Sequence, residues 1–235
     1  MRSPVKKLLL ICALSLLLPG AARATIVCNG DSNTQSGWQS WYPNGRADGW
    51  CERVAVELGE ATVNRGVGAS SISDTGFYWG GNLPLWGGYY VDLEVAGTDP
   101  FAAFATDGFF LQQPIYSPFA VPDVFVFAWG TNDITYGYTP RQVITAYKKY
   151  RQHVIATGAT VYIATTPPQF NADGTLSAKD ALIRDLNQRI RGNWPQRYVE
   201  FYVGFTADDF TADGIHVTAA GQAKRAQAVL DALAP

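Results

Sequence analysis

Apolar residues in this chain fall into short continuous runs separated by stretches with helical spacing, and the alternation of the two organises the sequence. Residues 25–28 form a brief apolar run that stops at Asn29-Gly30-Asp31, which reads as a strand ending in a turn. Val54, Ala55 and Leu58 then recur at helical spacing over residues 52–58, and 61–63 reads as a second strand ending in Asn64-Arg65-Gly66-Val67-Gly68. Residues 123–129 are almost uniformly apolar, as expected of a parallel strand covered on both faces. Thr139 as N-cap and Pro140 in the first turn predict a helix that continues to 155, with Gly158 ending it. A buried strand follows at 160–164. Leu182, Ile183, Leu186 and Ile190 share one face of an amphipathic helix over 178–190. Residues 199–203 predict the last strand and 219–233 a closing helix.

Strands alternating with helices in this way predict an α/β fold with a mostly parallel sheet, in which sites form at the carboxyl ends of strands. Residues 75–122 break the pattern. They are rich in aromatics, including Phe77, Trp79, Trp86, Tyr89 and Tyr90, and in glycine and proline, with no clear period. A linker would be polar, so this stretch reads as a long, partly helical excursion packed over the domain.

Composition changes the picture at the N-terminus. Arg2, Lys6 and Lys7 precede an apolar core from Leu8 to Leu18, and the small-residue site Ala22-Arg23-Ala24 follows. That is the layout of a secretory signal peptide over residues 1–24, too short in its apolar part to span a bilayer comfortably, which leaves 25–235 as one domain. An uncleaved anchor is the alternative. Without this segment the chain keeps 14 of its 18 basic residues against all 20 acidic ones, a net charge of −6. A modestly acidic chain with no basic cluster is poorly suited to nucleic acid or to an anionic membrane, so a small-molecule or polysaccharide substrate fits better. Of the 3 cysteines, Cys28 and Cys51 remain after residue 24. Outside the cytoplasm, secreted or periplasmic, they predict one disulfide, with two buried thiols as the alternative.

Three loops follow predicted strands: Gly30-Asp31-Ser32-Asn33, the 64–69 segment, and Gly130-Thr131-Asn132-Asp133. A fourth, Asp213-Gly214-Ile215-His216, precedes the last helix. Acyl transfer by a serine needs a base for its proton, a carboxylate to orient that base, and donors aimed at the oxyanion. These loops hold all of them. The chain has 2 histidines. His153 lies among Lys148, Lys149 and Arg151 on a helix and reads as packed or solvated, whereas His216 sits in a loop three residues after an aspartate. No G-x-S-x-G elbow, zinc-type histidine motif or phosphate-binding glycine loop occurs, and few ligands exist for a transition metal. A paired-carboxylate glycosidase stays open on spacing alone but leaves the Ser/Asn/His set unexplained.

The blocks around Ser32, Asn132 and His216, in that order, resemble blocks I, III and V of the SGNH/GDSL hydrolases. The resemblance covers nearly all of the chain after residue 24. It implies a flavodoxin-like three-layer α/β/α sandwich, no metal and no cofactor. It also implies Ser32 as nucleophile, His216 as general base and Asp213 as its orienting partner. The Asn132 amide and the Ser32 N–H would be oxyanion donors. The family's third donor falls on Ala69, or on Gly68 if the loop register differs. Block I departs slightly, since Ser36 stands where glycine is usual and Gly37 follows. Members are esterases, lipases, thioesterases and carbohydrate deacetylases. The aromatics Trp38, Trp41 and Tyr42 follow the nucleophile and are candidates for lining its pocket, with a packing role as the alternative. A non-catalytic carbohydrate-binding protein on the same fold is the competing expectation.

Overall fold

The apolar runs become the strands of one parallel sheet. The structure, a computed structural model, describes residues 25–35, 45–66, 68, 70–73, 124–156 and 158–234. The expected signal peptide, the aromatic excursion, Trp38, Trp41, Tyr42 and Ala69 lie outside the described residues. Strands β1 (Thr25–Gly30), β2 (Ala61–Gly66), β3 (Val124–Ala128), β4 (Thr160–Ala164) and β5 (Tyr198–Val199) pair in the order β2-β1-β3-β4-β5. Every pairing is parallel.

Successive side chains of a strand point to opposite faces, so a continuous apolar run supplies two cores at once. On one face Val27, Phe125, Phe127, Val161 and Ile163 pack against helices α4 (Pro140–Ile155) and α5 (Asp180–Asn193), through Val143, Tyr147, Ile183 and Leu186. On the other, Ile26, Cys28, Val126, Ala128 and Ala164 meet α2 (Trp50–Leu58) and α6 (Ala219–Leu233), through Trp50, Val54, Ala226 and Val229. The result is the expected three-layer α/β/α sandwich.

Local signals hold where capping chemistry is strong. Thr139 caps α4 with a reciprocal bond to Gln142, and Pro140 occupies its first turn. The last strand is shorter than predicted. Beyond Val199, the Phe201 N–H donates to Thr165 Oγ1, and those of Tyr202 and Val203 donate to Glu200 Oε1, so side chains take the donors a longer strand would have paired. Two short helices, α1 (Ser32–Gln35) and α3 (Thr131–Thr135), escaped the periodicity because so few residues carry no period.

The cysteines do pair. Cys28 of β1 and Cys51 of α2 form a buried disulfide with Cα atoms 6.1 Å apart. Closing a loop of this length contributes roughly 3 kcal/mol on the chain-entropy view. Strand order reverses between β1 and β3, and this switch point is where an open α/β sheet leaves a crevice. The loop after β1 carries Ser32.

Candidate active site

Ser32 opens α1 directly beyond β1. The turn is fixed by the Asp31 carbonyl, which accepts from the N–H groups of Thr34 and Gln35, and by Asp31 Oδ1, which accepts from the Asn33 N–H at 2.9 Å. Asp31, Asn33, Thr34 and Gln35 are buried while Ser32 is partly exposed, so the hydroxyl stands on a packed base.

Folding brings His216 to this hydroxyl across 184 positions of sequence: Ser32 Oγ and His216 Nε2 are 2.9 Å apart. The other ring nitrogen, Nδ1, lies 2.6 Å from Asp213 Oδ2. With that carboxylate ionised, the ring proton belongs on Nδ1, and Nε2 is left to accept from the serine. Burial alone would raise the pKa of Asp213. It is outweighed by hydrogen bonds from the His216 ring and amide, the Ile215 amide and the Thr211 hydroxyl, and the pKa is held at about 2. The loop that carries the pair turns at Gly214, whose φ is +66° and where a Cβ would lie 2.0 Å from the Phe170 carbonyl oxygen. Only glycine fits that approach. The Phe170 N–H donates back to the Gly214 carbonyl at 2.9 Å.

Asn132 lies in the first turn of α3, the short helix beyond β3. Gly130 precedes it with φ +116°, and a Cβ there would sit 2.0 Å from Thr166 Oγ1. Asn132 Nδ2 donates to the Ser70 carbonyl at 3.0 Å, which joins the β3 loop to the β2 loop. Its neighbour Asp133 strengthens that join. The fully buried carboxylate accepts from the hydroxyls of Ser71 and Ser73 and from the amides of Ile72 and Ser73. Burial raises its pKa against those four donors. Gly68 lies near Ser32, but its N–H already donates to Gln35 Oε1 at 2.8 Å. His153 sits on α4, edge-on to the Tyr150 ring.

Four polar residues around the site were not singled out from the sequence. Asp31 is buried beneath Ser32. Burial pushes its pKa up to about 6, against the lowering influence of Arg225, the Asn33 amide and His216. Asn33, Gln222 and Arg225 tie the Ser32 turn to α6, where Gln222 Nε2 and Arg225 Nη1 both donate to the Asn33 carbonyl. Arg225 also lies over the Phe201 ring at 4.3 Å. Among the described residues, no group of three or more His, Cys, Asp and Glu side chains is placed to hold a metal ion, and no helix is long and apolar enough to cross a membrane.

The chain matches the model of the GDSL-like lipase/acylhydrolase family over residues 28–224. No curated protein matches it in sequence. Among solved structures it is similar to a lipolytic G-D-S-L family protein from Veillonella parvula, with a TM-score of 0.61, 18% identity, and 89% and 97% of the two chains covered. A carbohydrate acetylesterase from Sinorhizobium meliloti gives a TM-score of 0.61 at 17% identity, covering 89% of this chain and 97% of the other. The aryl esterase of M. smegmatis gives 0.61 at 17%, covering 88% and 97%. At such identities the structural likeness is one of fold.

Proposed function

The chain belongs to the GDSL-like lipase/acylhydrolase family and is an ester-hydrolysing serine hydrolase, and on that premise we propose that Ser32, His216 and Asp213 form its catalytic triad. The observation that carries this reading is the continuous relay from Ser32 Oγ through both nitrogens of His216 to an ionised Asp213. Ser32 Oγ attacks the ester carbonyl carbon while His216 Nε2 takes its proton. The imidazolium, held by Asp213, then protonates the departing alkoxide oxygen. Water repeats the sequence on the acyl-enzyme and releases the acid.

The oxyanion is met by the Ser32 N–H, the Asn132 side-chain amide and one N–H of the loop beyond β2. Because the Gly68 N–H is engaged by Gln35, Ala69 is the better assignment for the third donor. Residues 1–24 act as a signal peptide that directs the enzyme out of the cytoplasm, a reading with which the Cys28–Cys51 disulfide agrees. The substrate is an uncharged carboxylic ester: an acetylated carbohydrate, a lipid or a small aryl ester. Relatives of the fold that act on carbohydrate acetates and aryl esters support that range. Membership of the family sets aside a purely carbohydrate-binding role.

Ser32→Ala should abolish hydrolysis of p-nitrophenyl acetate and labelling by a fluorophosphonate probe. Wild-type turnover by that variant would end the assignment.

A further inference from the structure

We propose that Asn33 is a positioning residue for this reaction: its side-chain carboxamide grips the backbone on both sides of His216 and so sets the imidazole over the Ser32 hydroxyl. The inference rests on the triad reading above. Asn33 Nδ2 donates to the Ile215 carbonyl at 3.2 Å, and Asn33 Oδ1 accepts from the Val217 N–H at 2.9 Å. The two contacts bracket residue 216. A planar amide with a fixed separation between donor and acceptor fixes both the position and the orientation of the residue it spans, as a neighbouring strand would.

The grip works because Asn33 is itself immobilised. It is 1% exposed. Its N–H goes to Asp31 Oδ1, and its carbonyl accepts from Gln222 Nε2 at 2.8 Å and Arg225 Nη1 at 3.0 Å. Since Asn33 directly follows Ser32, the nucleophile and the base are both referred to one peptide unit. Several other bonds of the histidine loop do a different task. Thr211 N–H to His216 O, Phe170 N–H to Gly214 O and the donors to Asp213 shape the loop, but none of them reaches the nucleophile turn.

Two variants test this. Asn33→Leu matches the side chain closely in size and removes both hydrogen bonds. Asn33→Asp keeps the acceptor for Val217 and loses the donor to Ile215. A misplacement of about 1 Å costs on the order of 100-fold in rate, so Asn33→Leu should lose about that much kcat toward p-nitrophenyl acetate and Asn33→Asp less. KM should hold steady in both. The low-field proton resonance of the His216–Asp213 hydrogen bond should persist, because the loop keeps its own shape. Wild-type kcat in a folded Asn33→Leu protein overturns the proposal. Loss of kcat together with loss of that resonance also overturns it, since Asn33 would then maintain the loop and not its placement. Should neither variant fold, amide exchange in the wild-type protein decides: a slow Val217 amide supports the clamp and a fast one refutes it. Ser32→Ala run alongside separates the two readings. An active Ser32→Ala defeats the triad, whereas an inactive Ser32→Ala beside a fully active Asn33→Leu defeats only the clamp.

Discussion

The rim and the floor of this site each place an aspartate where it can influence His216, and the pKa values of the two carboxylates are shifted in opposite directions. Asp213, on the rim, has a side chain 43% exposed, yet four donors converge on it and its pKa is held at about 2. Asp31, on the floor, is 1% exposed, and its pKa rises to about 6 although Arg225 and His216 pull the other way. Burial raises a carboxylate's pKa, and only enough directed donors reverse that. The rim therefore holds the group that keeps its charge well into acid, with its pKa at about 2. The floor holds groups that organise backbone: Asp31 the Ser32 turn, and Asp133 the loop beyond β2.

The sharpest way to break this division is at the rim. Asp213→Asn keeps the shape but presents the wrong partner to Nδ1, and kcat should fall by about 10⁴-fold if the carboxylate sets the tautomer. Steady-state kinetics would show it, and a loss below tenfold would contradict the role. On the floor, Asp133→Asn should act on stability. An amide cannot accept from all four donors that now meet the carboxylate, so unfolding free energy should drop by about 1–3 kcal/mol, read from chemical denaturation. The mildest effect is a titration. Asp31 binds its proton in the folded state up to pH about 6 but in the unfolded chain only to its ordinary value of 3.8. The folded state thus holds more protons between those values, and this group's contribution to stability declines as pH rises through them. Carbon-13 NMR of the Asp31 carboxyl should place its midpoint near 6; a midpoint near 4 would remove the contrast between rim and floor.

Much of this organisation could be read from the chain. Strands β3 and β4 are continuous apolar runs, and α4 announces itself through Thr139 and Pro140. The catalytic candidates stood out because His216 and Asp213 occur together in a glycine loop and His153 does not fit the part. What escaped was polar and buried. Gln222 and Arg225 look like solvated helix residues, yet they lie within one turn of Ala226 and Val229 on the covered face of α6, a spacing that could have flagged them. Asn33 carried no warning at all, since its value comes from partners 182 to 192 positions away. Beyond Val199 the expected strand stops because Glu200 and Thr165 compete for its amides, a contest that periodicity does not record.

The 184-position span between Ser32 and His216 has a consequence for how the enzyme comes into being. In the proposed triad the serine is synthesised 184 positions before the histidine, so a nascent chain holds a serine with no means of activating it until the histidine loop and α6 have emerged and docked. Contacts of such long range also form late in folding. Ester-cleaving power should therefore switch on only when the whole molecule is in place, and no shortened product that ends before residue 217 should consume substrate.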